Sequence, residues 1–211
     1  MLTAMKNNGA TLAMFACACT GLVAVTNYLT ADKIAEQERN QLKAQLNEVI
    51  PTSLHDNELY KACTLVKSEL LGSNEPMPAY IATLNSEPSG IAIEAIAPDG
   101  YNGSIKLLVG MDVNGIITGS RVLTHNETPG LGDKIDTRIT DWIFGFNGKT
   151  VTDDNQQDWQ VKKDGGSFDQ FTGATITPRA VVKAVKQTVN YYKANQTGIF
   201  SQPLDCGESN D

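Results

Sequence analysis

The chain has few of the side chains that build metal centres. Its 211 residues include only two histidines, His55 and His125, and four cysteines, and no two cysteines have the spacing Cys-x-x-Cys. Zinc sites and iron–sulfur clusters need several such ligands close together. We therefore expect neither a structural zinc site nor an iron–sulfur cluster held by this chain alone, and we assign no metal-binding residue.

Positive charge is also scarce. There are 17 lysines and arginines against 24 aspartates and glutamates, and the formal net charge at pH 7 is −7. Surfaces that bind nucleic acid are broadly basic, so we expect no nucleic-acid partner. Hydrophobic residues make up 41% of the chain, which is enough for an ordinary core, and the length suits one main domain with an additional segment.

Charge is absent altogether from a stretch near the amino terminus, between Lys6 and Asp32. Within it, residues 9–30 match the length of about 20 residues that a helix needs to cross a bilayer. Tyr28 lies near one end, where aromatic side chains commonly meet the membrane interface. We predict a short tail and one transmembrane anchor within residues 1–31.

Two alternatives to a retained anchor stay open. The sequence Ala-Cys-Ala at 16–18 resembles the cleavage site of a signal peptide, and a lipobox could end at Cys17 or Cys19. The apolar run continues through residues 22–25, however, where a signal peptide should turn polar. This continuation favours the anchor.

Residues 32–76 are predicted to form a membrane-proximal helical region. Its first part has apolar residues at helical spacing, and Pro51 would end that helix. A second short helix is predicted at 58–71, where Gly72 would close it.

Residues 77–211 are predicted to form the main domain with a C-terminal tail. Short apolar runs separated by turns predict four strands, at 80–84, 90–96, 104–109 and 116–123. Helical spacing follows at 133–146 and at 178–193, with Thr177 as the N-cap of the second helix. The predicted fold class is therefore α+β, an antiparallel sheet with helices packed on it.

The most informative motif is the segment 169–175, Asp-Gln-Phe-Thr-Gly-Ala-Thr. It stands just before the second predicted helix, whose free N–H groups and macrodipole favour a bound phosphate. Gly173 and Ala174 leave room for a bulky group near the backbone. On physical grounds alone, this is a phosphate-binding turn that carries the hydroxyls of Thr172 and Thr175.

A second motif is the loop 125–134, His-Asn-Glu-Thr-Pro-Gly-Leu-Gly-Asp-Lys. Taken alone it predicts only a tight turn between a strand and a helix. Taken together, the two segments resemble the FMN-binding domain family. The first is similar to its flavinylation motif, an Asp and a spacer before Ser/Thr-Gly-Ala-Thr, and the second is similar to its Glu-Thr-Pro-Gly-Leu-Gly segment.

The resemblance implies a cofactor site. In that family FMN is attached covalently, through its phosphate, to the last threonine of the motif, which is Thr175 here. Flavin contacts are implied for Thr172, Gly173, Ala174, Thr128, Gly130 and Leu131. The resemblance further implies that a separate flavin transferase, using FAD and magnesium, installs the FMN. Asp169 either assists as a base or metal contact or simply caps the turn.

Within the family, the chain resembles the flavin-carrying subunits of Rnf (Rsx) ion-translocating electron transport complexes. It also resembles, less closely, the related subunits of sodium-pumping NADH:quinone reductases. The stretch 161–166 leading into 168–171 is typical of the Rnf form. The resemblance implies a redox subunit of a translocase, incomplete by itself, that relays electrons between ferredoxin and NAD together with the other subunits of the complex.

The resemblance also implies a main domain on the periplasmic side of a bacterial inner membrane, with the anchor in membrane lipid. A count of Lys and Arg on the two sides of the anchor predicts the opposite orientation, but long domains translocate despite local charge. In an exported domain, Cys63 and Cys206 can form a disulfide that pins the C-terminal tail to the first helical region.

Two other functions stay open. One is a free-standing, membrane-anchored flavoprotein reductase for an extracytoplasmic acceptor. The other is a membrane-anchored binding module without redox chemistry, in which Thr175 is an ordinary turn residue. Bound flavin would be absent from a binding module, and a partner-dependent extraction from the membrane would distinguish a complex subunit from a free-standing reductase.

Overall fold

A computed structural model describes residues 2–206, with side chains from residue 5 onward. The main elements are α1 (Leu2–Val49), β1 (Cys63–Ser68), β2 (Ser73–Leu84), β3 (Glu87–Ala97), β4 (Ile105–Asp112), β5 (Ile117–Thr124) and α2 (Ile176–Phe200), with short 3-10 turns between several of them. The chain divides into two compact units, Met1–Leu42 and Lys43–Asp211.

The first unit is the larger part of α1. It includes the uncharged stretch, and within the described residues it is the one helix long and apolar enough to cross a membrane. Its large apolar side chains are exposed, for example Leu12, Phe15 and Leu22. An apolar helix surface of this extent suits lipid or neighbouring helices as its surroundings. The helix ends at Val49, before Pro51, as the sequence predicts.

The second unit is built on a five-stranded antiparallel sheet with the strands in chain order, β1 to β5. The four predicted strands overlap the strands β2 to β5, with starts at 104 and 116 that are one residue early, and the predicted fold class, α+β, is confirmed. The helix predicted at 58–71 is wrong, because this segment contains the fifth strand of the sheet. Cys63–Ser68 instead pairs with β2, with Val66 buried and its neighbours Leu65 and Lys67 exposed. Pairing with the sheet edge prevails over the local helical pattern.

Helix α2 covers one face of the sheet. Ile91, Ile93 and Ala95 of β3 are buried in one core with Val181 and Val185 of the helix. The predicted helix at 178–193 is confirmed in position, but α2 begins earlier, at Ile176. Thr177 is therefore inside the first turn and is not the N-cap, because Thr175 occupies that position.

The helix predicted at 133–146 is not continuous. It is replaced by two 3-10 segments, Gly132–Ile135 and Trp142–Phe146, and Ile139 between them is 53% exposed. The carboxylate of Asp136 accepts the backbone N–H two residues further on, at 2.8 Å. Such local bonds from an aspartate compete with helical bonding and favour a turn.

The end of α1 covers the other face of the sheet. Its residue Val49 is buried, and the paired glycines Gly110 and Gly119 lie directly beneath it. A Cβ atom at Gly119 would lie 2.7 Å from the Cα atom of Val49, and one at Gly110 would overlap the Val49 carbonyl group. Arg121 Nε donates to Glu48 Oε2 at 2.6 Å beside this contact. The two glycines therefore allow the helix backbone to rest on the sheet.

The segment after α2 returns to the edge strand β1. Cys63 and Cys206 are joined as a disulfide with their Cα atoms 5.4 Å apart. Beside it, Thr64 Oγ1 donates to Gln202 Oε1 at 3.1 Å. The edge strand and the end of the described chain are thus linked twice.

Candidate functional site

Thr175 lies at the N-cap position of α2 and is half-buried. Its carbonyl oxygen accepts the backbone N–H of Arg179 at 3.3 Å, but its side chain makes no capping hydrogen bond. The hydroxyl therefore stands at a helix N-terminus without being used by the helix.

Thr177, two residues further on, is in the opposite situation. It is fully buried, and its hydroxyl donates to the carboxylate of Glu127. Of these two threonines, only Thr175 offers a hydroxyl that a large group could reach from solvent. This geometry favours Thr175 over Thr177 as a site of attachment.

The two sequence motifs lie side by side. Gly173 has a φ of +82°, a backbone conformation that favours glycine, and a Cβ atom there would be 3.5 Å from Leu131 Cδ2. Leu131 is 42% exposed, and the preceding Gly130 also has a positive φ, +77°. Two glycines and one exposed leucine thus form an open surface next to Thr175.

Backbone hydrogen bonds close both turns. The carbonyl oxygen of Thr128 accepts the N–H groups of Leu131 and Gly132, each at 3.1 Å, and the N–H of Ala174 donates to the carbonyl of Phe171 at 3.1 Å. The side chains of Thr128 and Thr172 are both exposed, whereas Ala174 is half-buried. Each turn is thus defined by its own backbone and leaves its short side chains at the surface.

Glu127 connects the two motifs. Its carboxylate is 5% exposed and accepts the Thr177 hydroxyl on one oxygen and the backbone N–H of Asn102, at 3.1 Å, on the other. Asn102 belongs to the turn between β3 and β4. One buried side chain therefore joins the loop, the start of α2 and a turn of the sheet.

Charged residues beside the turn are paired with one another. Lys162 Nζ lies 2.6 Å from Asp169 Oδ1, so the Asp169 carboxylate forms an ion pair at the surface. Arg179 makes two bonds to Asp164, of 2.5 and 2.6 Å, and its guanidinium holds the pKa of that carboxyl below its ordinary value. Both cations are close in sequence to the turn and both have carboxylate partners.

Aromatic side chains support the turn. The indole Nε1 of Trp142 donates to the carbonyl of Asp169 at 2.8 Å, and its ring meets that of Phe171 edge-on at 5.2 Å between centroids. Phe168 and Phe171 are both buried, and Phe168 packs on Phe146 at 4.6 Å. These rings fix the segment before Thr175 from the side of the core.

Comparison with known proteins identifies both parts of the chain. Residues 1–49 match the RnfG N-terminal region, and residues 100–190 match the FMN-binding domain. A subunit of the ion-translocating oxidoreductase complex of Vibrio atlanticus is 65% identical over 98% of this chain and 99% of its own length. Its counterparts from Vibrio parahaemolyticus and Vibrio cholerae (strain O395) are 63% and 60% identical, over at least 98% of both chains in each pair.

The chain belongs to the RnfG family of ion-translocating oxidoreductase complex subunits. The family expected from the two motifs is therefore confirmed, and a redox subunit of a translocase fits the relatives' shared name. The FMN-binding match spans the loop, the turn and most of α2.

The residues present in this RnfG chain suit FMN. The hydroxyl of Thr175 makes no capping hydrogen bond, Gly173 in the same turn has no side chain, and Leu131 and Ile176 are exposed apolar side chains, at 42% and 45%. A helix N-terminus favours an anionic phosphate, while exposed apolar side chains favour the flat ring of a flavin.

The contacts of two residues of the site, Glu127 and Trp142, were not predicted from the sequence. Glu127 is one of two acids in the loop motif, the other being Asp133, and its partners Asn102 and Thr177 are 25 and 50 residues away. Trp142 has helical spacing with core residues, which gave no sign of its bond to Asp169. The available signal for Glu127 was an ionisable residue directly before the uncharged stretch 128–132.

Proposed function

We propose that this protein is the electron-relay subunit of a membrane-bound ion-translocating ferredoxin:NAD oxidoreductase complex, with FMN bound covalently to Thr175. The observation that carries the proposal is that the hydroxyl of Thr175, at the start of α2, makes no capping hydrogen bond. Gly173 and Leu131 lie close to each other in the same region. The family membership supports the relay role, since relatives over the full length are named as complex subunits.

Thr175 supplies the nucleophile for attachment. Its Oγ would attack the phosphorus of the FMN half of FAD, so that a new P–O bond forms while the phosphoanhydride bond breaks, AMP leaves, and the hydroxyl proton passes to the base that activates the threonine. A threonine hydroxyl is a weak nucleophile that needs a base or a metal. We assign that activation to a flavin transferase with magnesium, which Asp169 assists once its carboxylate leaves Lys162.

The chain then holds the cofactor in place. Bound FMN would accept and donate electrons, which is chemistry that no side chain of the site supplies. The N-terminus of α2 would offset the charge of a phosphodiester at Thr175. Thr128, Gly130 and Leu131 of the loop, together with Thr172, Gly173 and Ala174 of the turn, would hold the flavin.

We place the domain on the periplasmic side of a bacterial inner membrane, with α1 as the anchor in lipid. The pairing of Cys63 with Cys206 supports this side, because disulfides persist in oxidising compartments and are rare in the cytosol. Covalent attachment suits the same location, since a cofactor lost there would not be replaced from the cytosolic pool.

The intact mass of the full-length protein tests the proposal directly. The protein is produced with the flavin transferase as wild type, as Thr175→Ala and as Thr197→Ala, the last being a matched control at an exposed threonine near the other end of α2. We expect a gain of one FMN less one water in wild type and in Thr197→Ala, and no gain in Thr175→Ala. An unmodified wild type, or a modified Thr175→Ala, would reject the proposed attachment.

Purification in a mild detergent then separates the complex subunit from a free-standing reductase. A flavinylated protein that copurifies with the other subunits in stoichiometric amounts supports the relay role. A flavinylated protein that is extracted alone, and that passes electrons to a small acceptor by itself, would support the reductase instead.

A further inference from the structure

Three segments that are distant in sequence meet at the carboxylate of Glu127. Its Oε2 accepts the hydroxyl of Thr177 in the first turn of α2, and its Oε1 accepts the backbone N–H of Asn102 at 3.1 Å. Its own backbone N–H donates to His125 Nδ1 at 3.1 Å. Both carboxylate oxygens and the main chain of this residue are therefore engaged.

The carboxylate is enclosed by these contacts. Glu127 is 5% exposed and Thr177 is fully buried. A Cβ atom at Gly132 would lie 2.5 Å from Glu127 Oε2 and 2.9 Å from Thr177 Oγ1, and one at Gly100 would lie 3.0 Å from Glu127 Oε1. Burying a carboxylate is unfavourable unless it is well hydrogen-bonded, so this arrangement depends on all its partners together.

The arrangement reaches the attachment site through the helix. Thr177 lies two residues after Thr175, in the same first turn of α2. Thr175 makes no capping bond of its own, whereas Thr177 in the same turn is bonded to Glu127. On the other side of Glu127, the loop continues to Leu131, which faces Gly173.

We propose that Glu127 is a positioning residue for flavin attachment. It holds the loop 127–132 against the start of α2, so that the hydroxyl of Thr175 and the side chain of Leu131 face the incoming flavin in a fixed relation. It also keeps the hydroxyl of Thr177 buried and occupied, which prevents attachment at the wrong threonine. This inference rests on the proposed attachment of FMN to Thr175.

Four substitutions separate geometry from charge. Glu127→Ala removes both acceptors. Glu127→Gln keeps the shape, with its oxygen toward the N–H of Asn102 and its amide toward the hydroxyl of Thr177, which can turn to accept. Thr177→Val removes only the hydroxyl, and Thr177→Ser keeps a hydroxyl as its matched control.

The first readout is independent of flavin. Hydrogen exchange is measured on full-length protein in detergent, produced without the transferase, for peptides covering 100–104, 127–132 and 173–177. We expect Glu127→Ala to speed exchange by roughly tenfold in all three peptides, since local protection follows the contacts that hold a segment. Thr177→Val should affect the two later peptides, and Glu127→Gln and Thr177→Ser should resemble wild type.

The second readout is the initial rate of FMN transfer, measured well below the unfolding temperature of each variant. A misplaced reacting group costs up to about 10²-fold in rate, and we expect Glu127→Ala and Thr177→Val to lose about tenfold. Peptide mapping should also find FMN on Thr177 in a fraction of Glu127→Ala. If Glu127→Ala does not fold, the comparison of Thr177→Val with Thr177→Ser carries the test.

The outcomes distinguish the positioning role from the proposed function. A flavinylated wild type with equal transfer rates for Thr177→Val and Thr177→Ser, and for any Glu127→Ala that folds, rejects the positioning role and leaves the function intact. An unmodified wild type rejects the attachment, and the positioning role falls with it even if the exchange data show that the segments are coupled. A slow Glu127→Ala and Thr177→Val, rescued in Glu127→Gln and Thr177→Ser, supports the positioning role.

Discussion

The two faces of the sheet are covered in different ways. On one face, the end of α1 rests on Gly110 and Gly119 through direct approach of its backbone at Val49. On the other face, α2 packs on the sheet through side chains such as Val181 and Val185. The connection from β5 to α2 has no long helix and depends on side-chain bonds such as those of Glu127 and Trp142. Close backbone packing provides a fixed support, while turns joined by side chains leave a surface that can hold a ligand.

Removing the disulfide between β1 and the segment after α2 should have the largest effect on stability. This cross-link belongs to neither of the two coverings of the sheet. Replacing Cys63 and Cys206 with serine is expected to lower the free energy of unfolding by about 2–5 kcal/mol, because the cross-link restricts the unfolded chain. Denaturant unfolding with and without a reductant measures this difference.

The response to the reductant provides the internal control. Wild type should lose stability on reduction, whereas the double serine variant should not respond. Serine at Cys17 and Cys19, which are free and exposed in α1, should leave the domain unchanged. Wild type that is insensitive to reductant, with both thiols found free by peptide mapping, would contradict the prediction.

The support beneath α1 should give the next largest effect. Gly110→Ala is expected to lower the free energy of unfolding by about 3 kcal/mol, since its Cβ atom would overlap the carbonyl group of Val49. Thermal unfolding of the full-length protein measures the change. Gly145→Ala is the matched control, because a Cβ atom there meets nothing within 4 Å. Equal effects of the two substitutions would show that the helix end does not rest on the sheet as described.

The same substitution also tests whether the two faces are independent. Gly110→Ala should leave the transfer rate of FMN to Thr175 close to that of wild type at temperatures where the variant is folded. Glu127→Ala should change that rate strongly. If both substitutions slowed attachment equally, the two faces would not be independent.

The parts of the fold with regular periodicity were predictable from sequence. The strands β2 to β5, the end of α1 before Pro51 and most of α2 follow from local apolar spacing. The strand Cys63–Ser68 was missed because pairing with β2 decides its conformation, and a single segment does not carry that information. The loss of a helix at 133–146 depends on local side-chain bonds of the kind that Asp136 makes.

The site was predictable only in part for the same reason. Thr175 and Leu131 belong to recognisable motifs, and their segments meet through Gly173. Glu127 acquires its role from Asn102 and Thr177, which come near it only after the chain has folded. The motifs therefore predicted which groups would contact the cofactor. The positioning role that we propose for Glu127 could be recognised only from the structure.

The smallest expected effect on stability concerns Asp136, in the connection between β5 and α2. Hydrogen bonding to Arg138, with a smaller contribution from His125, holds the pKa of Asp136 below its ordinary value. A carboxyl with a depressed pKa in the folded state stabilises the protein above its unfolded pKa, about 3.9. That contribution is lost as the pH falls through the lower, folded value.

Removing this pair should therefore flatten the acid side of the stability profile. The Asp136 side chain is 12% exposed but that of its partner Arg138 is 83% exposed, so Asp136→Asn should lower the free energy of unfolding near neutral pH by less than the substitutions above. Its difference from wild type should shrink as the pH falls through the depressed, folded pKa of Asp136. Urea unfolding from neutral pH into the acid range, with Asp141→Asn as an exposed control, measures the difference. A difference that persists unchanged at low pH would mean that Asp136 acts through the shape of its turn and not through its charge. The connection between β5 and α2 would then depend on hydrogen-bond geometry alone.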